Sequence, residues 1–132
     1  NFGQAIYNLG SVYERQGKVN ESIRQIEKII PANANNSNLV FEIALLYYRA
    51  GRKNDALAAL QRVVNLEPQH ANARWYLALL YEEKRDIPNA ITQVEKILET
   101  NKDNQVVVDK LQSLKAGKIE FPPGKVTDKK PI

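Results

Sequence analysis

The chain has 132 residues, 43% of them hydrophobic, an ordinary balance for one folded domain. Its formal charge of +4 is uneven, because residues 1–114 balance to +1 while residues 115–132 hold five lysines against two acids. A folded body this close to neutral excludes nucleic acid as an expected partner, the lack of cysteine excludes disulfides and thiolate metal sites, and no apolar run approaches the roughly 20 residues of a membrane span.

The dominant pattern is a period of 34 residues. Tyr13, Tyr47 and Tyr81 keep that spacing, and so do Gly10, Ala44 and Ala78. Ile26, Leu60 and Val94 repeat it again, as do Ile29, Val63 and Ile97. Several matches at one fixed period point to stacked supersecondary repeats. Counted from Gly3, the repeats run 3–36, 37–70 and 71–104. The chain begins at Asn1 without an initiating Met and enters this pattern almost at once, as expected of a piece of a longer protein. No signal peptide is visible, and the residues leave the compartment open.

Each repeat opens with a helix whose apolar residues fall at three- and four-residue steps. These are Ile6, Leu9, Gly10 and Tyr13, then Val40, Ile43, Ala44 and Tyr47. Gly17 and Gly51 are expected to stop these helices by taking a left-handed conformation, and Arg85 at the third such place predicts a less favourable turn. Asn20 and Asn54 are the expected N-caps of the second helices, with Asp86 before Pro88 in repeat three. The second helices carry Ile23, Ile26, Ile29 and Ile30, then Leu57, Leu60, Val63 and Val64, then Ile91, Val94, Ile97 and Leu98. The first two are expected to end at Pro31 and just before Pro68, since proline cannot continue a helix. Small residues recur where paired helices must approach closely: Gly10 with Ser22, Ala44 with Ala56, and Ala78 with Ala90.

Beyond residue 104, Val108, Leu111 and Leu114 fall on the apolar positions of a fourth first helix. Gln112 and Lys115 stand where the small residue and the tyrosine belong. The expectation is a capping helix over about 104–116, apolar toward the last repeat and polar toward water. Residues 117–132 are rich in Pro, Gly and Lys and should be extended. Within them Ile119, Phe121, Pro122 and Pro123 combine apolar anchors with a stiff backbone, the character of a groove ligand. This tail is expected to dock on its own second helices or on a neighbouring molecule. The outer face of the first repeat, near Ile6, is expected to meet further repeats or another copy, so a homo-oligomer through that face or through the tail is anticipated.

Ala44, Tyr47, Gly51, Ala56, Leu60 and Pro68, followed by Leu77, Ala78 and Tyr81, give the chain a pattern that resembles tetratricopeptide repeats. Leu9, Gly10, Tyr13 and Gly17 agree, whereas Ser22, the early Pro31, Arg85 and Lys102 depart from the pattern. The bulky aromatic common early in the first helix is Ile6, Val40 and Arg74 here. The resemblance covers about residues 3–116. It implies an all-α, right-handed α-solenoid of antiparallel helix pairs, the TPR superhelix, with the first helices lining a concave groove. It also implies binding of a peptide or protein partner rather than catalysis, so no cofactor, no metal and no catalytic residue is expected.

On the family's groove positions this chain carries Tyr7 in repeat one, Phe41, Leu45, Tyr48 and Arg49 in repeat two, and Trp75, Tyr76 and Leu79 in repeat three. Tyr7, Phe41 and Trp75 themselves stand 34 residues apart. One reading is that these rings close gaps between adjacent first helices. The other is that they form a floor for apolar anchors of a bound segment, since rigid aromatic surface dominates interface energetics. In that case Tyr48 and Tyr76 would orient a backbone, Arg49 would take a carboxylate or pair with Glu42 or Glu82, and Trp75→Ala or Phe41→Ala would abolish capture with the fold intact. Relatives that grip acidic chaperone tails use Lys, Arg and Asn on this face; here those places hold Tyr7, Ser11, Glu42, Asn72 and Tyr76, so that clamp is absent.

His70, the only histidine, is expected in a surface turn rather than as a base. Glu82 and Glu83 are expected at a solvated helix end. Three functions follow: an interaction scaffold, a self-assembling structural module, and an accessory domain of a larger enzyme or membrane protein whose activity lies outside this chain.

Overall fold

The computed structural model describes residues 19–117, where six α-helices follow the 34-residue period and no strand occurs among the described residues. They are α1 (Val19–Glu27), α2 (Ser37–Arg49), α3 (Lys53–Leu66), α4 (Ala71–Glu83), α5 (Ile87–Leu98) and α6 (Gln105–Lys115), with a 3-10 turn at Pro31–Asn33. The expectations for Gly10, Tyr13 and Gly17, for the outer face near Ile6, and for the tail beyond Gly117 lie outside the described residues. The chain divides into two compact units, Asn1–Leu66 and Glu67–Ile132.

In the first unit α2 and α3 form a helical hairpin. Its turn is built by Gly51, which sits at φ 78°. Gly51 N–H donates to Tyr48 O at 3.1 Å and Arg52 N–H to Tyr47 O at 2.9 Å, the paired bonds that close a helix C-terminus through a left-handed residue. The turn is short enough that α3 is already helical at Lys53. Asn54 therefore lies in its first turn, not at the expected N-cap, and Asn20 likewise lies within α1. Ile23, Ile26 and Ile29 of the α1 segment pack with Leu39, Ile43 and Leu46 of α2 into one buried cluster, with Tyr47 partly buried against it. Ala44 and Ala56 are fully buried, as close approach of α2 and α3 requires. Tyr47 adds a polar tie: its hydroxyl donates to Glu27 Oε2 at 2.6 Å, and the Arg52 guanidinium lies 4.8 Å from its ring centroid. Burial first, and then the bond to the Glu27 carboxylate, hold the phenol well above the usual tyrosine range.

In the second unit the α4–α5 hairpin repeats this construction with Arg85 in the glycine's place. Arg85 adopts φ 64°, and the same two bonds form, from Arg85 to Glu82 O at 3.0 Å and from Asp86 to Tyr81 O at 2.8 Å. A side chain at a left-handed position costs about 1–2 kcal/mol. Arg85→Gly is therefore expected to raise stability by about 0.5–1 kcal/mol, after the added freedom of the unfolded glycine is deducted, as read by urea denaturation. Arg74, at the place where the family favours an aromatic, binds instead through its charge: Nε donates to Pro68 O and Nη1 to Gln93 Oε1, both at 2.8 Å.

The helix starts carry a second period that the residue types alone concealed. Asn36, His70 and Asn104 stand 34 residues apart and each caps a helix. Leu39 N–H donates to Asn36 Oδ1 at 3.1 Å, Ala73 N–H to His70 Nδ1 at 3.0 Å, and Val107 N–H to Asn104 Oδ1 at 3.3 Å. Asp86 caps α5 as expected. His70 is thus a structural cap rather than an idle turn residue.

Helix α6 packs on α5, but with a different stripe from the expected one. Val107, Lys110 and Leu114 are its buried residues, while Val108 and Leu111 are only half-buried. The rotation brings a lysine inward, for a reason that lies on α4.

Candidate functional site

The first-helix positions named above fall mostly inside the protein. Phe41, Leu45 and Tyr48 on α2 are 6%, 3% and 1% exposed, and Trp75, Tyr76 and Leu79 on α4 are 5%, 0% and 1% exposed. Arg49, at the last turn of α2, is exposed, and Glu42 is half-buried on the same helix. Tyr7 lies outside the described residues. The periodicity accounts for this placement. Helical steps of three and four bring Phe41, Leu45 and Tyr48 onto one side of α2, and Trp75 and Leu79 onto the corresponding side of α4. Large rings on that side give each helix its own rigid apolar face, and beside the one on α2 Arg49 meets solvent.

The hydroxyl of Tyr48 is buried with its ring. Arg49 supplies accessible charge on α2, whereas both carboxylate oxygens of Glu83 on α4 are buried.

Glu82 contradicts the expectation of a solvated helix end, since it is fully buried. Its Oε1 receives the Lys110 ammonium of α6 at 3.0 Å, with the two side chains 1% and 3% exposed. The same ammonium lies 5.9 Å from the Trp75 ring centroid. Glu82 and Trp75 are seven residues apart on α4, two helical turns, so a carboxylate and an indole face line one side and Lys110 spans them. The second oxygen, Glu82 Oε2, is buried and has no hydrogen-bond partner. Glu82 stands one period after Tyr48 and Lys110 one period after Tyr76, so both partners of the pair replace aromatic residues at groove positions. A polar residue at each of two such positions, opposite in charge, is the signal that would have found the pair.

Among the described residues no group of three or more His, Cys, Asp or Glu side chains is arranged to hold a metal ion. No described helix is long and apolar enough to cross a membrane.

Comparison with known proteins gives two family matches, each described as a tetratricopeptide repeat, over residues 41–105 and residues 3–36. No curated protein matches the chain. Among solved structures, the first TPR of Spaghetti (RPAP3), bound to the HSP90 peptide SRMEEVD, is 21% identical with a TM-score of 0.74, covering 87% of this chain and 91% of that one. MamA is 21% identical with a TM-score of 0.77, covering 89% of this chain and 68% of that one. YrrB, a TPR protein with an unusual peptide-binding site, is 19% identical with a TM-score of 0.71, covering 83% and 57%. At these identities the likeness is one of fold.

Proposed function

The chain belongs to the tetratricopeptide repeat family of all-α helical-repeat solenoids, and on that premise we propose that it is a protein-interaction scaffold without chemistry of its own. It takes a peptide or partner segment with apolar anchors along its first helices. One observation carries this reading. The stacking column keeps tyrosine at Tyr47 and Tyr81, while the neighbouring column changes identity from Phe41 to Trp75. Buried packing columns vary too, as Ile26, Leu60 and Val94 do, but this one varies between large aromatic rings, the residue type that dominates interface energetics. The likeness in fold to a domain bound to an HSP90 peptide, and to YrrB with its peptide-binding site, supports the same class of activity.

The residue-level site follows from exposure. Phe41, Leu45 and Tyr48 act as an apolar face of α2 and Trp75, Tyr76 and Leu79 as one of α4, Tyr7 belongs to the same column in the sequence, and Arg49 with Glu42 gives the accessible polar contacts. Acidic chaperone tails do not suit these places, because Glu42, Asn72 and Tyr76 stand where cations would be needed.

A displayed random peptide library, panned against the chain, tests this reading. Enriched peptides should share apolar or aromatic anchors, and Arg49→Glu should weaken their affinity by about tenfold or more, equivalent to about 1.4 kcal/mol. The peptide SRMEEVD should bind no better than its scrambled form. Enrichment of acidic C-terminal peptides, or affinities indifferent to Arg49→Glu and Glu42→Arg, would overturn the proposal.

A further inference from the structure

The three caps of the 34-residue column differ in one chemical respect. Asn36 and Asn104 accept through an amide oxygen, which keeps its lone pairs at every physiological pH, whereas His70 accepts through ring Nδ1. A backbone N–H can only donate, so the 3.0 Å bond from Ala73 requires an unprotonated Nδ1 and places the ring proton on Nε2. The bond and the imidazolium exclude each other. Protonation would turn Nδ1 into a second donor facing the Ala73 N–H, and would set a positive charge at the positive end of the α4 dipole. Histidine is also the side chain that ordinarily changes charge between about pH 5 and pH 8, and His70 is the only one in the chain.

The charges of the second unit do not reverse this preference. Glu67, in the same turn, gives its carbonyl to the His70 N–H at 3.0 Å; its side chain is exposed, where attraction to an imidazolium is weak. Arg74, one turn along α4, donates its N–H to His70 O at 3.1 Å and adds a like charge to that end of the helix. Its guanidinium is held by Pro68 O and Gln93 Oε1. On α5, Glu95 pairs with Lys115 of α6 at 3.7 Å and Glu99 with Lys96 at 3.9 Å, and Glu99 also acts on Arg74. Lys102 and Asp103, in the turn before α6, are exposed, and Asp109 accepts from Gln105. Lys110 is engaged with Glu82, which lies with Glu83, Lys84, Arg85 and Asp86 toward the opposite end of α4.

We propose that His70 is an acid-sensitive latch at the start of α4, closed as the neutral ring and opened by one proton. The sign follows from linkage. The folded chain holds His70 neutral, so the cap's stabilisation is whole above about pH 6.5, where an unfolded histidine is neutral too, and is lost progressively below it. The first turn of α4 then loses the bond that fixes its entry, immediately before Trp75 and Tyr76. Helices α2 and α6 keep their asparagine caps, so the effect is confined to α4. Under the scaffold reading, acid would weaken capture at the α4 face; the latch itself is a property of the fold and stands or falls without that reading.

The test is urea denaturation of the full chain at about pH 7.5 and about pH 5.5, on either side of the imidazole range. It is followed by the fluorescence of Trp75, the only tryptophan and a residue of α4. Acidification should raise the unfolding equilibrium constant of the unsubstituted chain about fivefold more than that of His70→Asn, which carries the cap of the neighbouring repeats at both values. His70→Ala, without a cap at either pH, should be about fivefold less stable than the unsubstituted chain at the higher pH and close to it at the lower. Nuclear magnetic resonance of the unsubstituted chain gives a second reading. The ring should be the Nε2–H tautomer at the higher pH, and its protonation should move the Ala73 amide signal in step. An acid response in His70→Asn equal to that of the unsubstituted chain, an Nδ1–H tautomer at the higher pH, or a ring that titrates while the Ala73 amide stays unmoved would each overturn the proposal.

Discussion

Lys110→Ala is expected to destabilise the second unit by about 3–5 kcal/mol, far more than loss of an exposed ion pair would. The wild-type ammonium lies 3.0 Å from Glu82 Oε1, with both side chains withdrawn from water. Removing it leaves a carboxylate buried on α4 without a counter-charge, and one of its oxygens already lacks a hydrogen-bond partner. It also removes the cation facing the Trp75 ring. The helix that carries the lysine, α6, should then be the first to detach, seen as early loss of amide protection over Gln105–Lys115 in hydrogen exchange. Replacing both partners gives the decisive comparison. Glu82→Leu with Lys110→Met removes the desolvation cost along with the attraction, and is expected to be neutral or stabilising by about 1–4 kcal/mol. Urea denaturation of the two single variants and the double variant yields the coupling between the residues. A double variant as unstable as Lys110→Ala would show that the pair contributes through more than its charges.

Much of this architecture is legible in the sequence because it repeats. The 34-residue columns locate the helix pairs, and the turn at Gly51 predicts the one at Arg85, which takes the left-handed conformation without the residue that favours it. Capping departs from the sequence expectation for a local reason. Asn54 has the chemistry of a cap, but the tight bond from Arg52 to Tyr47 brings the chain into α3 before it is reached. Histidine is not a usual cap, so the residue type of His70 does not announce its role, although its spacing from Asn36 and Asn104 does. The buried pair was missed for a longer-range reason. Helical periodicity ranks faces by hydrophobicity and so assigns a lysine and a glutamate to water; which neighbouring helix covers that face is not written in either helix alone. On α2 burial separates the exposed Arg49 from Phe41, Leu45 and Tyr48, which periodicity alone places on the same helix as it.

That separation reverses one expectation. From the sequence Trp75→Ala spares the fold, but Trp75 is only 5% exposed, and truncating a buried tryptophan costs about 3–5 kcal/mol. The loss has two parts. The indole leaves a void on α4 beside Tyr76, Leu77 and Leu79, all of them buried, so the surrounding side chains have little freedom to collapse into it. The Lys110 ammonium also loses the ring face it now meets at 5.9 Å. A domain of this size has a total stability of about 5–15 kcal/mol, so a substantial unfolded fraction is expected at physiological temperature if the native value lies toward the low end. Capture assays with Trp75→Ala would then report unfolding as lost binding. Trp75→Phe separates the two effects: it keeps an aromatic layer and should recover part of the stability in a thermal melt, while changing the width of the surface offered to a partner. If affinity for a library-selected peptide follows the melting temperature across Trp75→Phe and Trp75→Ala, the ring acts only by holding α4 in shape. If Trp75→Phe restores most of the stability but not the affinity, the indole contributes to recognition directly, despite the small area it shows to solvent.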